Sequence, residues 1–268
     1  MIPKIIHYCW FGNKDIPKKD KKNIEGWKKL NPDFKIMFWN ETNYDINTCD
    51  NLYTKQAYKC KKLGFVPDFI RTEIIYNYGG FYFDTDVELL KPLHSLLNEE
   101  CIMGFQDKKF VNHGQGFAAE PKNPIIKEIL DIYSELKFIK EDGSYNLVPS
   151  PVYLTDYLVS KGLELNDKTQ FINGVTIYSS EYFCPIDYVS KTINVTSNTI
   201  SIHHYAESWL SPTEKFINSI ENSFSSLIPN KIGYVCGRVV SFPFRVLIKI
   251  KQMGIIRFLS YIKIKLVK

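Results

Sequence analysis

YGGFYFDTD, residues 78–86, combines a helix stop, a short strand and a pair of carboxylates in one stretch. The aromatic run at 81–83 predicts a buried β-strand, and the glycine pair before it is typical of the end of a helix. In an extended segment, residues i and i+2 face the same side. We therefore expect Asp84 and Asp86 to converge on one point at the carboxyl end of a strand.

A helix over residues 66–78 is predicted immediately upstream. Asp68 and Arg71 are three residues apart, so they share a face of that helix. Each of these residues alone has an ordinary interpretation, because a surface Asp–Arg pair is worth only about 0.3–0.5 kcal/mol and stabilises many helices. Together with Asp84 and Asp86 they indicate one site, since the glycine turn brings the helix beside the strand.

Two converging carboxylates repel each other, and a hard divalent cation with oxygen ligands relieves that repulsion. The open positions of the cation suit a nucleotide diphosphate, whose departure the metal assists as a Lewis acid. A DxD tripeptide alone equally fits a solvated turn after a strand. The residues around the pair decide in favour of a metal site.

The rest of the chain indicates an α/β fold. A strand at 4–10, a helix at 18–30 and a strand at 35–39 predict a parallel pair joined by a right-handed crossover. Further helices are predicted at 52–63, 124–136, 152–160 and 212–220, and further strands at 101–105, 116–119, 169–172, 175–178 and 200–203. We divide the chain into one α/β domain, residues 1–226, and a basic C-terminal tail, residues 227–268.

Composition is ordinary for a folded globular protein, with 44% hydrophobic and 24% charged residues among 268, which argues against disorder. The six cysteines form no CxxC pair and predict reduced thiols in a reducing compartment. The N-terminal residues lack the features of a signal peptide, and we find no run of uncharged apolar residues long enough for a transmembrane helix. We therefore expect a cytoplasmic protein.

The tail differs in charge from the rest of the chain. From residue 229 onward it contains nine basic residues, and no acidic residue follows Glu221. Residues 243–268 alternate apolar and basic positions with moderate helical amphipathicity, which predicts a helix lying on an anionic membrane surface. Two alternatives remain open: a helix packed on the domain, and a segment that binds nucleic acid.

The stretch from Asp68 to Asp86 resembles the DxxR…GGxYxDxD signature of the DXD sugar-binding glycosyltransferases. That family includes capsular polysaccharide transferases, relatives of the yeast initiating α-1,6-mannosyltransferase and α-1,4-galactosyltransferases, and is distantly similar to the glucosylating domain of large clostridial toxins. Pro67 stands where most members have Ser. The resemblance implies a GT-A fold, meaning a Rossmann-like nucleotide-sugar-binding sheet, here with a helical basic appendage at the C-terminus.

Two distant segments extend the resemblance to about residue 210. PKIIHYCWFG at 3–12 resembles the family's first strand, which implies that Trp10 stacks on the uracil of the donor; core packing is the alternative. IHHYAESW at 202–209 resembles the HHxxxSW segment, which implies a histidine ligand for the metal and diphosphate contacts from Ser208 and Trp209. We favour His203 over His204 as the ligand, because it directly follows the apolar strand.

The other histidines have no such context and are interpreted as structural or surface residues. They are His7, His94 and His113.

The implied activity is that of a metal-dependent, retaining hexosyltransferase. It would use Mn²⁺ or Mg²⁺ and move galactose or glucose from a UDP-sugar to a glycan acceptor, lipid-linked, in the synthesis of capsule, O-antigen or another surface polysaccharide. Asp86 would ligate the metal and Asp84 would bridge metal, ribose and sugar. Asp68 and Arg71 would hold the sugar hydroxyls, while Ser208 and Trp209 would hold the leaving phosphate. We count Asp84, Asp86 and Arg71 as the catalytic residues.

Three alternatives compete with this hypothesis. The first is a mannosyltransferase using GDP-mannose, and the second is a nucleotide-sugar-binding protein without turnover. The third, a phosphodiesterase or nuclease, ranks far behind, and we expect no nucleic-acid partner. The expected location is the cytoplasm, peripheral on the inner face of the cell membrane.

Overall fold

A computed structural model describes residues 1–12, 14–186, 192–206, 212–228 and 231–255 of the chain. These residues form two compact units. The first contains the described residues up to Ala206, and the second contains those from 212 onward. The division therefore falls earlier than the boundary at 226 that the sequence suggested. The reason is that the helix following residue 211 packs against the C-terminal helix rather than standing alone.

Within the described residues, a seven-stranded mixed sheet forms the centre of the first unit. Its strands are β1 (Ile5–Cys9), β2 (Lys35–Trp39), β3 (Gly80–Tyr82), β5 (Cys101–Gly104), β6 (Phe117–Ala119), β7 (Gln170–Ile172) and β8 (Val175–Tyr178). They lie in the order β2-β1-β3-β6-β5-β8-β7. Five strands run in one direction, and β6 and β7 run opposite to them. The predicted Rossmann-like α/β fold is confirmed.

Two further strands lie outside this sheet, and they matter for the site. β4 (Val87–Leu89) pairs antiparallel with β9 (Ser201–His203). Because β9 lies near the C-terminal end of the first unit, this two-stranded ladder joins the segment just after β3 to a segment more than 100 residues downstream.

Six helices of the described first unit pack on the sheet. They are α1 (Lys18–Leu30), α2 (Leu52–Lys59), α3 (Pro67–Tyr78), α4 (Pro124–Ser134), α5 (Ser150–Ser160) and α6 (Ser180–Phe183). Alternate strand residues enter two separate cores, as the two-residue period of a strand requires. Tyr82 joins the core that contains α2 to α5, whereas Phe81 and Phe83 join the core that contains Trp27 of α1.

The connection from α1 through β2 to β3 creates the crevice in which a ligand is expected. β1 pairs in parallel with β2 on one side and with β3 on the other. The chain therefore adds β2 on one side of β1 and β3 on the other, so the strand order changes direction at β1. Open α/β sheets bind ligands at the carboxyl ends of the strands at such a point.

The glycine pair turns α3 into β3, as predicted. Gly79 and Gly80 have φ values of 63° and 95°, a region that L side chains rarely adopt. A Cβ on Gly80 would lie 2.7 Å from the carbonyl oxygen of Ile5 in β1. Only glycine thus permits both the turn and the close approach of the two strands.

The second unit is a helical hairpin made of α7 (Pro212–Leu227) and α8 (Lys231–Met253). Helix α8 begins well before residue 243, where the sequence had predicted the amphipathic segment, and residues 256–268 of that segment lie outside the described part. None of the described helices combines the length and apolarity needed to cross a bilayer.

Candidate active site

The Asp84–Asp86 loop follows β3 directly and is a turn rather than an extended segment. The Asp84 N–H donates to the Gly114 carbonyl at 2.8 Å, and the Val87 N–H donates to the Asp84 carbonyl at 3.0 Å. The expectation that an extended chain would align the two carboxylates was therefore wrong in its geometry. The turn brings them together instead, because the bond from Val87 back to Asp84 closes the chain around Thr85.

The β4–β9 ladder places His203 beside Asp86. Val87 lies opposite His203 in this ladder, and the next N–H along, that of His204, donates to the Asp86 carbonyl at 3.1 Å. The His203 Nε2 atom lies 3.3 Å from Asp86 Oδ1, while His204 Nε2 turns away to Glu88 Oε2 at 2.8 Å. Of the two adjacent histidines, His203 is the one that faces the carboxylate pair.

Asp84, Asp86 and His203 each offer one ligand atom, and these atoms lie within 4.8 Å of one another. Two carboxylate oxygens with one imidazole nitrogen suit a divalent cation such as Mn²⁺. Asp84 and Asp86 also have partners outside the group that fix their carboxylates. The Ala206 N–H donates to Asp86 Oδ2 at 2.7 Å, so the other oxygen of Asp86 is the one that faces His203. The donor set and its orientation therefore fit a metal.

The charges of this group are arranged for a cation. Burial alone would raise the pKa of Asp86, but the adjacent His203 and the N–H of Ala206 lower it to about 2. Burial alone would lower the pKa of His203, but the charge and the hydrogen bond of Asp86, together with the charge of Asp84, outweigh burial and raise it. A metal ion in place of the His203 proton would supply the positive charge that balances the Asp86 carboxylate.

Arg71 links the carboxylate pair to Asp68 of the same helix. Its Nη2 atom donates to Asp68 Oδ1 at 2.5 Å, and its Nη1 atom lies 3.3 Å from Asp84 Oδ2. Asp68 and Arg71 are both buried. Burial raises the pKa of Asp68 to about 6, against the opposing charge of Arg71. The Asp68–Arg71 pair predicted from the sequence is thus buried, and it lies next to the cluster of Asp84, Asp86 and His203.

Tyr82, the last residue of β3, supports both partners of this link. Its hydroxyl donates to Asp84 Oδ1 at 3.1 Å, and the Arg71 guanidinium lies over its ring, 5.4 Å from the centroid. Arginine over an aromatic face is favourable, more so when the pair is desolvated. Tyr82 therefore fixes the direction of the Asp84 carboxylate.

A loop between β5 and β6 closes the site from the other side. The Gly114 N–H donates to Asn112 Oδ1 at 2.7 Å, and the Gly114 carbonyl accepts the hydrogen bond from the Asp84 N–H. A Cβ on Gly114 would overlap Asp84 Oδ2 and come within 2.6 Å of Arg71 Nη1. The bare backbone of this glycine allows Arg71 and Asp84 to meet.

His113, in the same loop, was interpreted from the sequence as structural or surface. The structure buries it with its ring edge against Phe117, 5.5 Å between centroids. Burial and the charge of Arg71 hold its pKa well below the usual value. A neutral ring is therefore expected here, because a second positive charge beside Arg71 would oppose it.

Helix α1 supports the loop from below, which the sequence did not reveal. Asp20 accepts a hydrogen bond from Thr85 Oγ1 at 2.7 Å, and Asn23 donates to the Thr85 carbonyl at 3.0 Å. Trp27 Nε1 donates to the Val87 carbonyl at 2.9 Å. The available signal was their i, i+3, i+7 spacing on one face of an otherwise lysine-rich helix.

Of the remaining sequence-predicted residues, Trp10 lies one residue beyond β1, at the same sheet edge as Asp84. Its Nε1 atom donates to the Lys14 carbonyl at 2.6 Å, and its stacking on a base stays a prediction. Ser208 and Trp209 lie outside the described residues.

The other two histidines of the sequence analysis are not part of the cluster of Asp84, Asp86 and His203 and make structural contacts. His7 Nε2 lies 2.9 Å from the Gly79 carbonyl, and His94 pairs with Asp33.

Comparison with known proteins matches residues 17–103 to the family model of the glycosyltransferase sugar-binding region containing a DXD motif. The matched range contains α1, α3, β3 and the Asp84–Asp86 loop.

Individual relatives extend the similarity beyond this range. The chain is 26% identical over 212 residues to the uncharacterized glycosyltransferase L373 of Acanthamoeba polyphaga mimivirus, which covers 76% of this chain and 82% of that protein. It is 22% identical to inositol phosphoceramide mannosyltransferase 1 of Schizosaccharomyces pombe over 58% of this chain and half of that protein. Among solved structures, the PaToxG glycosyltransferase aligns with a TM-score of 0.48 at 18% identity, over 60% of this chain and 70% of that one.

The family match and the geometry meet at the same residues, since the matched region contains both aspartates of the motif and the Asp68–Arg71 pair beside them. The part of the chain that matches the DXD-containing sugar-binding region of glycosyltransferases is therefore the part that supplies Asp84 and Asp86 to this site.

Proposed function

We propose that this glycosyltransferase uses a divalent metal, Mn²⁺ or Mg²⁺, held by Asp84, Asp86 and His203, to transfer a hexose from a nucleotide-sugar donor to a glycan acceptor. The observation that carries the proposal is the convergence of their three ligand atoms within 4.8 Å. The convergence lies at the carboxyl end of β3, where an open α/β sheet receives its ligand. When bound, the metal would supply Lewis-acid stabilisation of the charge on the departing diphosphate.

The chain's own residues act by position and charge. Asp84 and Asp86 would hold the metal at the carboxyl end of β3, and Asp84 would also contact the ribose and the sugar of the donor. Arg71, buried between Asp68 and Asp84, is a fixed donor group, and with Asp68 it would orient the sugar hydroxyls. Prepositioned groups of this kind need no reorganisation during the reaction. On the resemblance, Trp10 stacks on the donor base, and Ser208 with Trp209 hold the leaving phosphate.

Retention of the anomeric configuration belongs to the same proposal. A retaining transfer can proceed without a carboxylate base on the acceptor hydroxyl, since the leaving phosphate takes the proton on the same face. The carboxylates described here are already engaged: Asp68 with Arg71, Asp84 with Arg71 and Tyr82, and Asp86 with His203. Proton NMR of the anomeric signal in the first-formed product tests it, and an inverted product would refute it.

The donor is proposed to be a UDP-sugar of the galactose or glucose type. GDP-mannose is the second candidate, because the S. pombe relative is named as a mannosyltransferase. The acceptor is proposed to be lipid-linked, in the synthesis of capsule, O-antigen or another surface polysaccharide. A thermal-shift panel of UDP- and GDP-sugars with Mn²⁺ decides the donor. Stabilisation by GDP-mannose alone would replace the UDP-sugar proposal.

Donor hydrolysis with Mn²⁺, and its suppression by a chelator, tests catalysis itself. The doubly substituted Asp84→Asn/Asp86→Asn protein should lose metal-dependent hydrolysis while keeping its fold, because Asn has similar size but no charge. Full activity in this variant would refute the metal site. Donor binding without turnover in the unaltered protein would favour a nucleotide-sugar-binding protein, and cleavage of RNA or DNA would favour a phosphodiesterase.

A further inference from the structure

Polar side chains of α7 and α8 form hydrogen bonds with one another on the faces where the two helices meet. A Cβ on Gly237 would lie 2.9 Å from the Glu221 Cα, so the two helices approach closely at this glycine. Arg245 Nε and Nη2 donate to the Glu221 carboxylate at 2.7 and 2.5 Å, and the Ser241 hydroxyl donates to it as well. The inner face of α8 is therefore committed to α7.

The opposite face of α8 carries a row of exposed apolar side chains. Ile232, Val235, Val239 and Phe242 follow one another at intervals of three and four residues, which places them on one side of a helix. We call these four residues the outer stripe. Val239 is 68% exposed and Phe242 64% exposed. Single exposed apolar residues are ordinary, but a continuous row of this kind marks an interaction surface.

The part of the sequence that contains the outer stripe carries charge of one sign. No acidic residue follows Glu221 in the sequence, whereas nine Lys and Arg residues lie from residue 229 onward. Glu221 itself is paired with Arg245. Arg238 lies on the same helix as the outer stripe, and its guanidinium lies over the Tyr234 ring, 5.8 Å from the centroid. A partner must therefore accept apolar side chains and positive charge together.

An anionic lipid bilayer offers both. Its hydrocarbon boundary receives apolar side chains, and its phosphates attract Lys and Arg, each worth about 1 kcal/mol near the surface. A second copy of the hairpin would place two basic surfaces against each other. A nucleic acid would satisfy the charges and leave the outer stripe in water. The 23 residues of α8 span about 35 Å at the rise of an α-helix, long enough to lie along a membrane surface.

We propose that the outer stripe of α8 docks the protein on an anionic phospholipid bilayer, with the helix parallel to the surface and its basic residues on the headgroups. The proposal gives the expected location on the inner face of the cell membrane a defined contact surface, and it does not depend on the sugar-transfer proposal. A cytoplasmic leaflet rich in anionic lipids supplies the required chemistry.

The test is co-sedimentation of the full-length protein with vesicles of phosphatidylcholine, with and without phosphatidylglycerol. Binding is expected with the anionic vesicles and should weaken as salt is raised to about 0.5 M, where screening is strong. In Val239→Asp/Phe242→Asp, the partition coefficient should fall at least about tenfold, because carboxylates replace two apolar side chains that would be buried in the bilayer. The milder Val239→Ser/Phe242→Ser variant should show a smaller loss in the same direction.

The matched control is Val195→Asp/Phe171→Asp in the first unit. These residues are 53% and 72% exposed, and the control makes the same two chemical changes with the same change of net charge. Its vesicle binding should equal that of the unaltered protein. Circular dichroism of all variants checks that the helices persist, and donor hydrolysis without vesicles, which tests the separate function proposal, should be unchanged.

Three outcomes would overturn the proposal. One is failure of the unaltered protein to bind anionic vesicles. The second is equal loss in the outer-stripe and control variants, which would assign the binding to net charge. The third is that the outer-stripe substitutions abolish RNA binding or convert a dimer to a monomer, as seen by filter binding or light scattering, without changing vesicle binding.

Discussion

The Asp84–Asp86 loop and the α7–α8 hairpin handle charge in opposite ways. Around the loop, negative charge is concentrated and then held in place by partners from four separate parts of the chain: α1, α3, the β5–β6 loop and β9. In the hairpin, positive charge accumulates, and Glu221 is its one acidic residue after residue 214. The first arrangement builds a site with fixed geometry. The second is proposed to form a membrane-binding surface, whose affinity would depend on total charge and apolar area.

The difference predicts where a substitution acts. A change of one atom near the loop should alter metal binding and catalysis, because several partners determine each position. A change of one residue in the hairpin should alter local stability or vesicle binding and leave catalysis unchanged. The following substitutions test this contrast, beginning with the largest expected effect.

Gly114→Ala should have the largest effect. The added Cβ would overlap Asp84 Oδ2 and approach Arg71 Nη1 to 2.6 Å, so the two groups must separate. Displacements of about 1 Å at reacting groups can reduce rates by about 10²-fold, and we expect a loss of that size in kcat/KM for donor hydrolysis. Gly26→Ala is the control, since nothing lies within 4 Å of its Cβ position, and it should raise stability slightly. Equal activity in both variants would contradict the assigned role of Gly114.

His203→Ala and His204→Ala should differ although the residues are adjacent. His203 faces Asp86, and His204 pairs with Glu88 on the outside of the ladder. Removing His203 should weaken Mn²⁺ affinity by at least about 10–100-fold, the loss caused even by removing a partner of a metal ligand. Isothermal titration with Mn²⁺ checks this, with His204→Ala expected to change affinity much less. The reverse order would make His204 the ligand.

Metal binding by His203 also has a direction with pH. Its pKa is raised in the metal-free protein, where Asp86 and Asp84 together outweigh burial, and a metal would have to displace the bound proton. Mn²⁺ affinity should therefore rise with pH until His203 is deprotonated, and His203→Ala should flatten this part of the pH profile. An unchanged profile in the variant would assign the proton to another group.

Thr85→Val should destabilise the first unit. It leaves the buried Asp20 carboxylate without the Thr85 hydroxyl, a loss of about 1–3 kcal/mol in the free energy of unfolding for a buried polar group. Thr85→Ser keeps the hydroxyl and should cost much less. Thermal unfolding of the two variants separates these cases. A Val variant as stable as the Ser variant would show that the bond to Asp20 contributes little.

Glu221→Gln should have the smallest effect and should be confined to the hairpin. It removes the charge that Arg245 contacts through two nitrogens, and partly exposed ion pairs contribute roughly 0.2–1 kcal/mol. Hydrogen exchange should accelerate in α7 and α8, with donor hydrolysis unchanged. Asp131→Asn, in the exposed pair with Lys127, is the control and should change exchange in the hairpin not at all. Lost hydrolysis in Glu221→Gln would break the contrast between the two regions.

The features near the motif followed from short-range sequence rules. Asp68 and Arg71 are one helical turn apart, and the glycines that follow are required by positive φ angles, so the α3–β3 turn and the sharing of one face were predictable. The α/β class followed from the strand–helix–strand opening. His203 was preferred over His204 because it directly follows the apolar residues of the predicted strand, and it is the last residue of β9 and faces Asp86.

The remaining features depend on contacts between segments far apart in sequence. Gly114 and His113 become parts of the site only because the β5–β6 loop folds over β3. Asp20 meets Thr85 only because α1 packs beneath the loop, and a lone Asp on a lysine-rich helix looks like a solvated residue. The turn at Asp84–Asp86 was missed for the same reason, since its anchor is the Gly114 carbonyl.

The β4–β9 ladder has a consequence for the order of events during protein synthesis. Asp84 and Asp86 leave the ribosome early, and His203 leaves only after nearly all of the first unit. A nascent chain that ends before β9 therefore carries the two carboxylates without their imidazole partner. Because domains acquire structure as they emerge, the proposed metal site would be completed only when the fold of the first unit is complete. A truncated product of translation should therefore bind Mn²⁺ more weakly than the full-length protein.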